Sequence, residues 1–240
     1  MPSASLQKPY KNRLLASLPP EAIQKLAPHL LPVDLPRDLA LYEPGQPIDF
    51  TYFLEQGVCS VVATMEDGTT VEVSLIGREG LVGLPAVLGT ISSPFRSFMH
   101  IAGNGFRVKT RALADQCEAS APLRSCLLRG VHGALVQAGQ TAACNRVHDL
   151  HERLARWLLM CRDRVQSDQI VITQELLAIM LGTRRSSITV AAGILQKAGL
   201  ITHTRGRVTI HNRTGLADAA CECYKVVHDE AVRIGLLERR

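Results

Sequence analysis

The sequence predicts an α+β protein in three consecutive parts: an antiparallel β-barrel or jelly roll over residues 1–120, a long helix over 121–147, and a winged helix-turn-helix over 148–240. Three observations predict it. Between Val33 and about Thr110, short apolar runs are cut by Gly, Pro and Asp at regular spacing, the pattern of many short strands. After Ser120-Ala121-Pro122 the apolar period lengthens to that of a helix. From Val171 to Asn212, two short helical stripes separated by a turn at Gly182 lead into a glycine-tipped hairpin.

In chain order, Leu14, Leu15, Leu18, Ile23, Leu26 and Leu30 recur at helical spacing and predict one or two short helices over residues 12–31. The strand region follows, and Asp67-Gly68 between two alternating segments marks a hairpin. The long helix, about 39 Å at 1.5 Å per residue, places Leu128, Val131, Leu135, Ala138, Ala142 and Asn145 at 3-4-3-4-3 spacing. That is the a/d seam of a helix pairing with a copy of itself; the two alanines allow close approach and the asparagine can fix register. A helix packed on its own domain gives the same stripe, and periodicity does not separate the two. A second helix carries Leu150, Leu154, Trp157, Leu158 and Cys161 on one face, and a last one is expected over about 215–236.

The composition narrows the function. No apolar run approaches the ~20 residues of a membrane span, and the N-terminus lacks the features of a secretory signal, so the chain is expected in the cytoplasm, with no membrane partner. There is no P-loop, nucleophile elbow or H-E-x-x-H, and residues 1–120 contain only His29 and His100, too few for a metalloenzyme barrel. The chain is therefore read as no enzyme, and no cofactor is expected.

Seven cysteines, an odd number without C-x-x-C, argue against a disulfide framework or a zinc knuckle. His148 and His151, one turn apart with Cys144 a turn earlier, fall short of a complete ligand set. Cys221 and Cys223, two apart on a predicted helix, are expected on opposite sides and unable to chelate jointly. No metal is expected.

The charge is concentrated. Residues 173–213 hold Arg184, Arg185, Lys197, Arg205, Arg207 and Arg213 against Glu175 alone, which equals the net +5 of the whole chain. A neutral body with one basic module is the footprint of a nucleic-acid contact, although such a cluster alone can also be a solvated face. Within it, Thr173 is an N-cap, Glu175 suits the first turn, and Leu176, Leu177, Met180 and Leu181 form a buried stripe with small Ala178 at the crossing. Thr183 is expected to cap the second helix, whose inward face is Ile188, Ala191, Ala192 and Leu195, and Gly199 ends it.

The first turns of that second helix expose guanidinium groups and hydroxyls with no carboxylate among them. A helix N-terminus attracts phosphate; in a recognition helix these residues reach base edges, and arginine pairs bidentately with guanine. Arg184, Arg185, Ser186 and Thr189 are the candidate base readers. Thr173, Ser187 and the wing residues Arg205 and Arg207 are candidate phosphate contacts. Double-stranded DNA and a second copy of the chain are the expected partners. A helical pair used for protein contacts is the competing reading.

With these residues in view, the chain resembles the Crp/Fnr superfamily of transcription regulators along nearly its whole length. LYEPGQPIDFTYFLEQGVCSVV resembles the opening strands of the cyclic-nucleotide-binding barrel, IGREGLVGLPAVLG and PFRSF its pocket region, and TQELLAIMLGTRRSSITVAAGILQKAGLI the helix-turn-helix. The resemblance implies a sensor domain, a dimerisation helix and a DNA-binding domain, a homodimer on a two-fold symmetric site, a small-molecule effector, and RNA polymerase as a partner.

Arg185 falls where the family's base-reading arginine lies, whereas Ser186 and Val190 replace a glutamate and a second arginine of the cyclic-AMP-responsive members, so a different site should be read. The family's effector pocket maps onto Gly83, Leu84, Arg96 and Ser97. Leu84 replaces the carboxylate that accepts from the ribose hydroxyl, a loss of ~1.5–3 kcal/mol, so cyclic AMP should bind weakly or not at all. Gating by another small molecule or by a redox-sensitive thiol, or a regulatory subunit that binds protein and has no DNA role, are the alternatives. No cysteine precedes Cys59, which speaks against an N-terminal iron–sulfur cluster.

Overall fold

The computed structural model describes residues 10–238. Two short helices, α1 (Arg13–Ser17) and α2 (Pro20–Leu26), open it, followed by a 3-10 turn at Ala27–His29. Buried Asn12 caps α1: its Oδ1 accepts from the Leu14 and Leu15 amides, and its Nδ2 donates to the carbonyls of Leu54 and Gly80. One capping residue thus seats the helical entry on the sheet.

The sheet comprises β1 (Leu31–Leu35), β2 (Ala40–Tyr42), β3 (Phe50–Thr64), β4 (Thr70–Ile76) and β5 (Arg96–Lys109). It is antiparallel, in the order β1-β5-β3-β4 with β2 also on β5, so it is a jelly-roll-like open sheet and no closed barrel. Long strands β3 and β5 bend where their register shifts between Leu54 and Cys59. Glycine makes the bend possible: a Cβ at Gly103 would lie 2.0 Å from the Gln56 carbonyl oxygen. Opposite it, Gly57 holds φ +88°. The Asp67-Gly68 hairpin lies between β3 and β4 as expected, with Gly68 at positive φ.

Before β5 comes the short helix α3 (Leu84–Val87); after it comes α4 (Thr110–Ala119), a helix the apolar pattern did not disclose. The long helix α5 (Ala121–Val147) starts where Ser120 accepts from the Leu123 amide and ends at His148. α6 (Leu150–Val165) begins with a reciprocal capping box between Asp149 and Glu152. A three-stranded sheet of β6 (Gln169–Val171), β8 (Arg207–Ile210) and β7 (Ile201–Thr204) encloses α7 (Gln174–Met180) and α8 (Arg185–Lys197) in sequence. The single C-terminal helix expected over 215–236 is two, α9 (Arg213–Asp218) and α10 (Cys223–Arg233). No described helix is long and apolar enough to cross a membrane.

The largest core joins the two halves. Val58, Val62, Leu75 and Phe98 of the sheet pack in one cluster with Leu154, Trp157 and Leu158 of α6 and Leu177 and Met180 of α7. Polar ties reinforce the junction: Arg164 Nε lies 2.8 Å from Glu79 Oε1, and Gln137 Oε1 accepts from Arg164 Nη2 at 2.8 Å. Buried Glu72 accepts from Ser60 Oγ at 2.6 Å and Trp157 Nε1 at 2.8 Å. Desolvation pushes its carboxyl up to about 7.

One expectation about cysteine needs correction. Cys221 precedes α10 and Cys223 opens it, so helical spacing does not apply and both sulfurs turn the same way. Cys144, His148, Cys221 and Cys223 bring their donor atoms within 4.8 Å of one another. His151 is not in that group.

Candidate nucleic-acid interface

The helix-turn-helix is assembled by local signals. Thr173 caps α7, its hydroxyl accepting from the Leu176 amide. Leu177, Met180 and Leu181 are buried, and Leu176 is partly so. Gly182 takes φ +59° in the turn, where the Thr183 amide bonds back to the Ala178 carbonyl. The N-cap of α8 is Arg184 with no side-chain cap, so Thr183 does not cap it; the leading amides of α8 are left facing outward. Ile188, Ala191, Ala192 and Leu195 form the buried face, and Gly199 closes the helix at φ +69°.

The opposite face is open to solvent. Arg184, Arg185, Ser186 and Thr189 are exposed and Ser187 is half-buried. Arg205 and Arg207 are exposed at the wing, whose tip bonds inward through the Gly206 carbonyl to the Ile172 amide. Arg207 Nη1 donates to Gln169 Oε1 at 3.1 Å, leaving most of its fork free.

Two cations are engaged differently from expectation. Arg185 Nη1 meets Glu175 Oε1 at 2.8 Å, so a carboxylate does approach the reading turn, from α7. Both side chains are more than half exposed, and such a pair is worth only about 0–1 kcal/mol, which a phosphate or base edge can replace. Arg213 instead is half-buried, 3.0 Å from Tyr224 Oη and 3.8 Å from the buried Asp163 carboxylate, and so is engaged within the chain.

One further residue at this surface went unread in the sequence. Gln174 Oε1 accepts from Thr189 Oγ1 at 3.3 Å, while its Nε2 lies 3.3 Å from His203 Nδ1 on β7, which ties the reading helix to the wing. Its signal was its place, the first helical residue after the Thr173 cap. Val190 is 66% exposed on α8. An apolar side chain there can meet a thymine methyl.

The candidate effector residues are not gathered together. Gly83, at φ +96°, and Leu84 lie beside the Tyr52–Val82 bridge, whereas Arg96 pairs in register with Val62 at the other end of β3. Ser97 is buried with its hydroxyl 2.9 Å from Cys59 Sγ and bonded to Tyr42. Arg96 sits over the Phe98 ring and reaches Glu43 at 3.1 Å. Leu84 packs against the core around Leu14, Leu81 and Leu123. Burial pushes the Cys59 thiol up to about 12, so it is no reactive thiolate.

Of the seam residues on α5, Leu128, Leu135, Ala138, Ala142 and Asn145 are exposed. Val131 is buried within the protomer and corrects that part of the stripe. α10 covers the other side of α5, where His132 meets Glu230 at 2.6 Å and Gln140 meets Cys223.

Comparison with known proteins agrees with this construction. Residues 152–219 match the Crp-like helix-turn-helix domain. The chain is 24% identical over 191 residues to the global nitrogen regulator of Synechocystis sp., a match covering 75% of this chain and 84% of that one. FixK2 from Bradyrhizobium japonicum superposes with a TM-score of 0.69 at 16% identity, over 80% of this chain and 98% of the other. A Crp/Fnr-family transcriptional regulator from Eubacterium rectale gives 0.68 at 15% identity, over 86% and 96%. Residues 152–219 are thus a Crp-like helix-turn-helix domain, and the chain as a whole is built like the Crp/Fnr transcription regulators.

Proposed function

We propose that the protein is a homodimeric transcription regulator that reads a two-fold symmetric duplex site, with residues 1–120 as sensor, 121–147 as dimerisation helix and 148–240 as DNA-binding domain. One observation carries it: the uncapped, solvent-facing first turn of α8 presents Arg184, Arg185, Ser186 and Thr189 beside a wing bearing Arg205 and Arg207. Arg185 pairs with guanine, Ser186 and Thr189 serve neighbouring base edges, and Thr173, Ser187 and the wing hold phosphates. Apposed exposed stripes of α5 would pair two protomers, setting half-sites about 34–36 Å apart.

The sensor answers to something other than cyclic AMP. Leu84 offers no carboxylate, and Arg96 and Ser97 already have partners within the chain. An effector of another class, and RNA polymerase at the promoter, complete the expected partners.

Selection from random genomic fragments followed by footprinting tests the proposal. Two protected half-sites one helical turn apart are expected; the absence of any enriched fragment would count against it. Leu135→Glu should yield monomers in sedimentation and lose the paired footprint. For the sensor, calorimetry should give no cyclic-AMP heat at micromolar ligand, and a low-micromolar constant would overturn that part.

A further inference from the structure

The end of α5 and the start of α10 carry a cluster that the DNA-binding reading does not use. Cys144 lies in the last turn of α5, His148 is its C-cap, and Cys221 and Cys223 flank the entry to α10. Cys144 Sγ and Cys221 Sγ are 3.4 Å apart, and Cys223 Sγ is 3.5 Å from His148 Nδ1. The three cysteines are buried and form an apolar cluster of their own, sulfur against sulfur.

These spacings suit a single ion. With metal–sulfur bonds of about 2.3 Å, the edge of a ligand tetrahedron is about 3.8 Å, and all four donors here fall within 4.8 Å of one another. An iron–sulfur cluster spreads its ligands around several irons and needs a wider cage.

The surroundings orient the donors. His148 Nε2 lies 3.1 Å from Glu222 Oε2, which leaves Nδ1 turned to the sulfurs; a carboxylate holding the distal nitrogen of a metal-bound histidine is the usual outer-shell arrangement. Gln140 Nε2 donates to Cys223 Sγ at 3.1 Å, a contact that suits a thiolate acceptor. Arg153 and Arg156 lie within electrostatic reach of the sulfurs and would offset the net negative charge of three thiolates around one divalent ion.

We infer that Cys144, His148, Cys221 and Cys223 form a tetrahedral site for one thiophilic divalent ion of the zinc class, clamping α10 to the hinge between α5 and α6. Binding would displace the thiol protons and join segments more than seventy residues apart in sequence, fastening the C-terminal helices to the junction ahead of the helix-turn-helix.

Full-length protein expressed with zinc and purified under reducing conditions without chelator should carry one zinc per protomer by elemental analysis. Cobalt added to the demetallated chain should give the intense visible bands of a tetrahedral ion and sulfur-to-cobalt charge transfer. Cys223→Ser should lose these bands, and Glu222→Gln should weaken zinc binding by about 10- to 100-fold. Should the variants fail to fold, the wild-type cobalt titration decides alone. No stoichiometric zinc, an iron–sulfur chromophore, or a Cys144–Cys221 disulfide in reductively purified protein would overturn the site.

Discussion

Arg185 and Arg164 are the same residue type in opposite employment. Arg164 lies buried at the junction of the sheet and α6, spanning Glu79, Gln137 and the Met160 carbonyl. Arg185 lies in water on α8, held by one exposed carboxylate. The first is part of the architecture; the second is available to a partner. The distinction separates cations held by the protein's own acids, as at Arg164–Glu79, Arg162–Asp168 and Arg213–Asp163, from the exposed arginines of α8 and the wing. Availability, rather than charge count, marks a nucleic-acid contact.

Breaking the buried side should cost most. Arg164→Ala leaves Glu79 charged and unpaired at the junction and should lower stability by about 3–5 kcal/mol in urea unfolding. A loss near the surface-pair range would mean that water or another cation replaces Arg164.

Next comes the pH dependence of the same junction. Burial raises the Glu72 carboxyl from 4.5 to about 7, against the pull of Arg156 and Arg164. The folded chain therefore holds more protons in that interval; the contribution is complete below pH 4.5 and is lost as pH rises through 7. His100, buried against Trp157 and near Arg37 and Asp38, is lowered from 6.5 to about 4. Its contribution is complete above pH 6.5 and is lost as pH falls through 4. Each is worth up to about 3 kcal/mol, and between pH 4.5 and 6.5 they oppose. Glu72→Gln should unmask the histidine, so that melting temperature falls toward acid more steeply than in wild type. Parallel profiles would show that one of the two groups is better solvated than its burial indicates.

On the open side, Arg185→Ala should leave the melting temperature unchanged, weaken the selected site by about 1–3 kcal/mol and relax one base pair per half-site. Wild-type affinity would remove Arg185 from base reading. Smallest of all, Arg96→Ala severs the exposed contact to Glu43 and the stacking over Phe98 and should change stability by about 1 kcal/mol.

The same contrast governs what the sequence disclosed. The helix-turn-helix was legible because each boundary is local: the Thr173 cap, the turn at Gly182, the Ile188–Leu195 stripe and the stop at Gly199 all act within a few residues. The effector residues were placed by resemblance across a loop, and strand register, a long-range property, separates Gly83 from Arg96. The reach of Glu175 to Arg185 and the burial of Val131 likewise depend on neighbouring elements. The sulfur cluster was missed because its halves are distant in sequence and because Cys221 stands outside the helix that the C-x-C spacing suggested.

The most direct test is a salt titration of binding to a labelled duplex, followed by fluorescence anisotropy. For wild type, the logarithm of the association constant should fall linearly with the logarithm of salt concentration; in Arg207→Ala the slope should be shallower by about 0.9 and all sequences should weaken alike. Absence of duplex binding by the wild-type protein even at low ionic strength would contradict the assignment of α8 and the wing to DNA.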